Sequence, residues 1–259
     1  MGIVQEFDYP LDKAHRNDFI NQWKGWSNTG AILYLRPNYF LAGYCLPYIF
    51  VHQFGDDYKF AYNHGMVATD FDSLTAMFGV QRPNLYMVAR LNDNPTMSVE
   101  EVLNEYYSTF GKAAPEIKKY YDLWENITNK RDNEFIKKYP EGGWNSAGWS
   151  GNKLYTVADV NHASKILEAA KRLAQGDGDA LARITFLEKG LKHTYLTIET
   201  MNAFGDHKVN RGDIVIESKF KNALKVLDDY RHEIRNDQVV NIPFLLKLEL
   251  WMGWRTGSL

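Results

Sequence analysis

An α/β region followed by a mainly α-helical one is the architecture the sequence predicts, and three observations predict it. Over residues 1–94 short β-type runs alternate with helical apolar periods, the order of βα units on a parallel sheet. From about Pro95 onward apolar residues recur at three- and four-residue spacing with little interruption. Glycine, proline and capping residues stand where those periods begin and end. The predicted division is 1–94, βα units, and 95–259, a helical region packed on them.

In chain order, Leu11 to Trp26 reads as a helix with Phe19, Ile20, Trp23 and Trp26 on one face. Ala31 to Leu35 is a strand running into Arg36-Pro37, where the residue before proline favours extended backbone. Phe54 to Asn63 is helical and His64-Gly65 stops it. Met66 to Phe71 is the next strand, and Pro83 to Leu91 a helix opened by its proline. Ser98 and Glu101 form a capping box at the head of a helix ending near Phe110-Gly111. Ala114-Pro115 opens another, with Ile117, Tyr120, Tyr121 and Trp124 on its apolar side. Thr156 caps a helix to Leu173. Asp179 begins a long one to Phe204 that Gly205 ends, and Glu217 to Ile234 follows. Ile214 to Ile216 is a poor strand candidate, Ile242 to Trp254 is ambiguous, and Glu141 to Asn152 reads as a glycine-rich loop. Two good strands and one poor one cannot close a (β/α)8 barrel, which needs eight.

The chain has 259 residues, of which 45% are hydrophobic and 24% charged, with a net charge of −2. A chain of this length buries roughly 70–75% of its unfolded surface and needs no disulfide or metal for stability. Basic residues are scattered among acids, which argues against nucleic acid and against an anionic membrane surface as partners. No apolar run reaches the roughly 18 residues of a membrane span, and Met1 to Pro10 has neither the basic nor the apolar region of a signal peptide. Cys45, the one cysteine, sits in an apolar stretch and reads as a buried thiol. The seven histidines show no zinc-binding spacing, Gly148 to Asn152 departs from the nucleophile-elbow pattern at its last position, and no phosphate-cradling glycine motif is present. Neither metal nor cofactor is expected.

Three stretches carry a resemblance: Arg36–Pro47, His64–Ser73, and Pro83–Asn92 continued by Ser98–Tyr107 and Phe110–Tyr121. Together they resemble the C-terminal half of the domain of unknown function 4838 family, bacterial proteins with a glycosidase-like (β/α)8 barrel. Ala182–Thr194 resembles the helical tail that follows the barrel in such proteins. The resemblance spans about Leu11 to Tyr230. It implies that residues 1–94 are two or three βα units of an incomplete barrel, that the helical bundle follows, and that the ligand is an oligo- or polysaccharide. It also implies a periplasmic or secreted full-length protein. An open sheet edge would call for further strands, a second copy or a partner chain.

With the chain extended over Met66–Asp72, Asp70 and Asp72 stand at alternate positions, and a period of two puts them on one face. Glycoside hydrolysis uses two carboxyls, and barrel enzymes present them at the C-terminal ends of strands. The resemblance ranks Asp72 first as acid/base, with Asp70 its neighbour. Tyr34, Arg36, Asn38, Tyr39 and Tyr44 form an aromatic and polar cluster suited to a saccharide subsite, and Trp144 and Trp149 could stack on sugar rings. Each set has a structural alternative: the aspartates as helix caps, the tyrosines as core, the tryptophans as pins for their loop. A non-catalytic sugar-binding or assembly protein is the alternative function.

Overall fold

The computed structural model describes residues 1–5, 13–72, 74–140 and 146–255. Its first part runs β1 (Gly2–Gln5), α1 (Lys13–Ser27), β2 (Leu33–Pro37), α2 (Val51–Asn63), β3 (Met66–Thr69) and α3 (Phe78–Asp93). The helical part adds α4 (Val99–Ser108), α5 (Ala114–Thr128), α6 (Asn133–Lys138), α7 (Ser146–Leu154), α8 (Val157–Leu173), α9 (Gly178–Val209), α10 (Ile214–Glu233) and α11 (Ile242–Trp251). The three strands pair in the order β1-β2-β3, all parallel. Parallel neighbours joined by helices take right-handed crossovers, so consecutive crossovers put α1 and α2 on the same side of the sheet. The burial pattern agrees: Ile3, Gln5, Leu33, Leu35 and Pro37 are buried, whereas the residues between them are half-buried or exposed. Trp23 of α1 donates its indole N–H to the His64 carbonyl at the end of α2, 3.0 Å away, and Phe19 packs edge-on to Phe60.

Several expectations need correction. β1 was not among the predicted strands, and Ile214–Ile216 is no strand: it forms the first turn of α10, capped by Asp213, whose carboxylate accepts from the amides of Val215 and Ile216. The predicted loop Glu141–Asn152 is helical from Ser146 on, as α7, because its small residues let it lie against the core. A Cβ on Gly151 would come within 2.2 Å of Leu46 Cδ1. α9 starts from an Asp177 cap and runs through Gly205 to Val209; one glycine costs a helix only about 1 kcal/mol, so tertiary packing overrides it. α3 begins five residues before Pro83 and kinks at Gln81 (φ −122°, ψ 17°), which leaves the proline in the first turn after the kink. Ile242–Trp251 resolves as helix. The Ser98/Glu101 and Thr156/Asp159 capping boxes form as pairs.

Residues 42–50 form a buried loop after β2, and a buried loop must find partners for its amides and carbonyls. The α3 kink supplies them. Gln81 Nε2 donates to the Leu46 carbonyl (2.9 Å), and Asn84 donates to the Tyr48 carbonyl (2.7 Å) and accepts from the Phe50 amide (3.1 Å). Thr128 of α5 accepts from the Ile49 amide at 3.2 Å. The two predicted regions thus meet through a shared core.

His52 ties three helices. Its Nδ1 lies 2.6 Å from Glu125 of α5 and its Nε2 3.1 Å from Glu100 of α4. The hydrogen bond to Glu125, assisted by the Glu125 and Glu100 charges and opposed by partial burial, raises the imidazole from 6.5 to about 9. A raised folded-state value means that the stabilisation is complete below about pH 6.5 and lost as pH rises through 9. The side chain is 41% exposed, so solvent screening reduces the effect to about 1 kcal/mol. Urea denaturation of the wild type at pH 6 and pH 9.5 should show this loss, and His52→Gln should flatten it. An unchanged slope in the variant would assign the loss elsewhere.

Candidate functional site

The carboxyl ends of parallel strands are where α/β folds bind ligands, because the strand-to-helix turns converge there with free backbone groups. In this sheet the side away from α1 and α2 carries Gly2, Val4, Tyr34, Arg36 and Ala68, by the register Gly2↔Tyr34, Val4↔Arg36 and Tyr34↔Ala68. Val4 is 47% exposed and Ala68 is exposed. Tyr34 lies flat along this side: a Cβ on Gly2 would fall 2.7 Å from its ring. Among the described residues no further strand flanks β1 or β3.

Asp70 follows β3 and prolongs the ladder by one bond, its amide donating to the Leu35 carbonyl at 2.9 Å. Its carboxylate is ion-paired to Arg36 Nη1, and both side chains stay partly exposed. The structure therefore brings Arg36 and Asp70 together at the strand ends, with Tyr34 on the same side of the sheet but nearer the amino end of β2, opposite Gly2. Asp72 does not follow by strand period. β3 ends at Thr69, and Phe71 turns into the core, where its ring meets Phe40 at 5.4 Å and Phe54 at 5.8 Å. Asp72 sits half-buried at the bend beyond, with a polar contact of its own.

The remaining predicted residues scatter. Asn38 is half-buried, its Oδ1 enclosed without a hydrogen-bond partner, and its amide bonds to the Gln5 carbonyl at 3.0 Å. Tyr39 is fully buried between Phe40 and Phe50. Tyr44 is 1% exposed and reaches Glu249 of α11 with its hydroxyl at 2.5 Å. Neither tyrosine presents a surface to a saccharide, because aromatic rings next to a helix-packed loop are worth more buried than wet. Trp149 lies on α7 beside a groove described below, and Trp144 falls outside the described residues. Sequence reading missed Gln5 and Asp57: both are 1% exposed, their side chains 3.5 Å apart, with Asp57 ion-paired to Arg16 at 3.1 Å. This buried acid anchors α1 and α2 under the strand ends. Its signal was weak, since Asp57 adjoins an exposed Asp56 and looks like surface.

Cys45 is a buried thiol, and burial pushes it up to about 12, out of nucleophile range. Among the described residues no cluster of His, Cys, Asp or Glu has the makings of a metal site, and no helix is long and apolar enough to cross a membrane.

The fold and strand-end cluster define a small parallel α/β unit carrying an extended helical array. Residues 1–122 match the family model described as a domain of unknown function, DUF4838, and all three resemblance-bearing stretches lie within that span. The match ends inside α5, so the run Ala182–Thr194 stands outside it. No curated protein and no solved structure matches the chain.

Proposed function

We propose that the chain is a glycoside hydrolase-like carbohydrate-active protein or a portion of one, with residues 1–94 as barrel-type βα units and 95–259 as the helical region packed on them. One observation carries the reading: among the described residues the sheet face away from α1 and α2 leaves Val4 and Ala68 exposed, and Tyr34 and the Arg36–Asp70 pair stand on that face. In a (β/α)8 barrel the helix-free face is the lumen, and the strand ends are its mouth. An aromatic ring beside a paired Arg and Asp offers a stacking surface together with donors and acceptors for sugar hydroxyls. Hydrolysis would need Asp72 as acid/base and a second carboxyl at roughly 5–10 Å. Asp70, held by Arg36, suits charge organisation and substrate contact better than proton transfer.

The alternative reading, a non-catalytic binding or assembly role, draws on a specific observation. Val4 and Val67 (66% exposed) lie on the two strands that have no outer neighbour among the described residues, and such edges pair readily with further strands. Titrating the ¹⁵N-labelled chain with neutral oligosaccharides should shift amides around Tyr34–Asn38 and Asp70, and Arg36→Ala should remove those shifts. An aryl-glycoside panel then separates the readings: turnover abolished by Asp72→Asn supports hydrolysis, and binding without turnover supports the non-catalytic role. Shifts confined to other regions would dismiss the strand-end surface.

A further inference from the structure

A sizeable cavity lies away from the strand ends. It is a groove of about 850 Å³ between α7, the C-terminal half of α9 and the segment after α11, continued by a second depression of about 580 Å³. Both lie wholly in residues beyond the family match.

The walls are aromatic. Trp149 stands edge-on to Trp251 at 5.8 Å, and Phe204 packs on Trp254 at 5.8 Å, so the rings are held by one another rather than free to collapse into the space. Between the walls the Asn152 amide donates to Asn202 Oδ1 at 2.8 Å, joining α7 to α9 with further amide donors and acceptors to spare. The Trp149 indole N–H is enclosed and has no acceptor among the described residues, which costs about 1–3 kcal/mol wherever no partner is supplied.

The rim is basic. Lys138, Lys153, Lys208 and Arg211 border the two depressions, and among the described lining residues Asp206 is the one carboxylate. Lys208 lies over the rings of Trp149 (5.3 Å) and Phe204 (6.0 Å), and Lys138 over Tyr139 (5.4 Å). Lys138, Lys153 and Arg211 have no acidic partner among the described residues, whereas Lys118, Lys119, Lys171, Lys189, Lys221 and Lys225 of the helical array are paired along their own helices or across to the next. In a chain of net charge −2 this is a local excess of cations around stacked rings.

We infer that this groove binds an acidic oligosaccharide, whose sugar rings lie on Trp149 and Phe204 and whose carboxylates are met by Lys138, Lys153 and Arg211. The inference rests on the saccharide reading above and deepens it, by naming the charge of the ligand and a second place where it is held. Sugar C–H faces stack on indole and phenyl rings, hydroxyls suit the Asn152–Asn202 pair, and charge complementarity selects the acidic chain over a neutral one. A neutral glycan would leave the lysines without a counter-charge, and a small anion without rings would leave the aromatic walls unused.

Calorimetric titration of the whole chain with trigalacturonate and with neutral maltotriose tests it. Trigalacturonate should bind, more weakly as salt rises, and maltotriose at least about tenfold more weakly. The Lys138→Glu/Lys153→Glu variant should lose about tenfold in affinity; because neither lysine holds an acidic partner among the described residues, the reversal should leave the fold intact, which its circular dichroism checks. Lys165→Glu, a charge reversal of an exposed α8 lysine that lines neither depression, should bind trigalacturonate as wild type does. Equal binding of the two trisaccharides, or indifference to the charge reversal, would overturn the inference. Binding that survives the reversal but fails in Arg36→Ala would overturn the groove and leave the strand-end reading standing. No binding of either sugar by any form would overturn both.

Discussion

Gly190→Ala should unfold the protein at markedly lower denaturant, with a loss of about 3 kcal/mol or more. α9 crosses α3 at this residue. A Cβ on Gly190 would lie 2.1 Å from the Gly79 carbonyl oxygen and 2.6 Å from its carbon, and one on Gly79 would lie 2.4 Å from Val239 Cγ1. The obstacle at Gly190 is backbone, which cannot swing aside as a side chain does. The Gly79 amide is itself fixed, donating to the Val239 carbonyl at 2.7 Å. The two helices would have to separate, and the core of the α/β part would part from that of the helical array. Intrinsic propensity points the opposite way, because alanine in a helix is favoured over glycine by about 1 kcal/mol. The sign of the change therefore decides between close approach and open space. Gly205 on the same helix is the control: a Cβ there meets nothing within 4 Å, so Gly205→Ala should stabilise by about 0.5–1 kcal/mol. A Gly190→Ala protein as stable as the Gly205→Ala one would refute the crossing.

What could be read from the chain followed the range of the interaction. Helix starts were legible because their chemistry is local: Ser98 and Glu101, or Thr156 and Asp159, satisfy each other three residues apart. β1 was not, because its four residues GIVQ have no period of their own and are a strand only by pairing with Leu33–Pro37. The role of Gly190 left no local mark in the sequence, since its reason lies on α3, more than a hundred residues away. Tyr44 was read with its neighbours Tyr34 and Arg36, yet its partner Glu249 is 205 positions along the chain. At the strand ends the Arg36–Asp70 meeting was within reach of pattern, because adjacent parallel strands in register bring such positions side by side. Asp72 was not, because strand period holds only while the strand continues, and Phe71 ends it by entering the core.

Removing either partner of the buried Arg231–Glu249 pair should cost about 3–5 kcal/mol, and removing both should cost far less. Arg231 of α10 is 2% exposed and Glu249 of α11 is fully buried. The carboxylate accepts from Arg231 Nη1 (2.9 Å), Arg255 Nε (2.8 Å) and the Tyr44 hydroxyl (2.5 Å), while Arg231 Nε donates to His193 Nε2 of α9 at 3.0 Å. Arg255 is held in turn by Asp228. Four segments thus converge on one carboxylate, and Tyr44 keeps a positive φ of 50°, unusual for a non-glycine residue, to reach it. Glu249→Leu leaves the Arg231 guanidinium in the core with only Asp228, 3.8 Å away, to answer its charge, and Arg231→Met leaves the carboxylate with Arg255 as its one cationic partner. The double variant places two apolar side chains of similar volume there, so a coupling of several kcal/mol between the substitutions is the expected result of a double-mutant cycle. Acid should act on the same cluster. Burial and the neighbouring Arg231 charge hold His193 well below its ordinary 6.5. Burial works to raise Glu249, but Arg231 and Arg255 bring it below its usual 4.5. Both groups take up protons more readily when unfolded, so their contributions are present at neutral pH. Stability should fall as pH drops below about 6.5, and again below about 4.5. The Arg231→Met/Glu249→Leu protein should lose the lower of these two steps, because the carboxylate is gone. Additive single effects together with an unchanged acid limb would mean that the cluster is packed scaffolding whose charges contribute nothing beyond their volume.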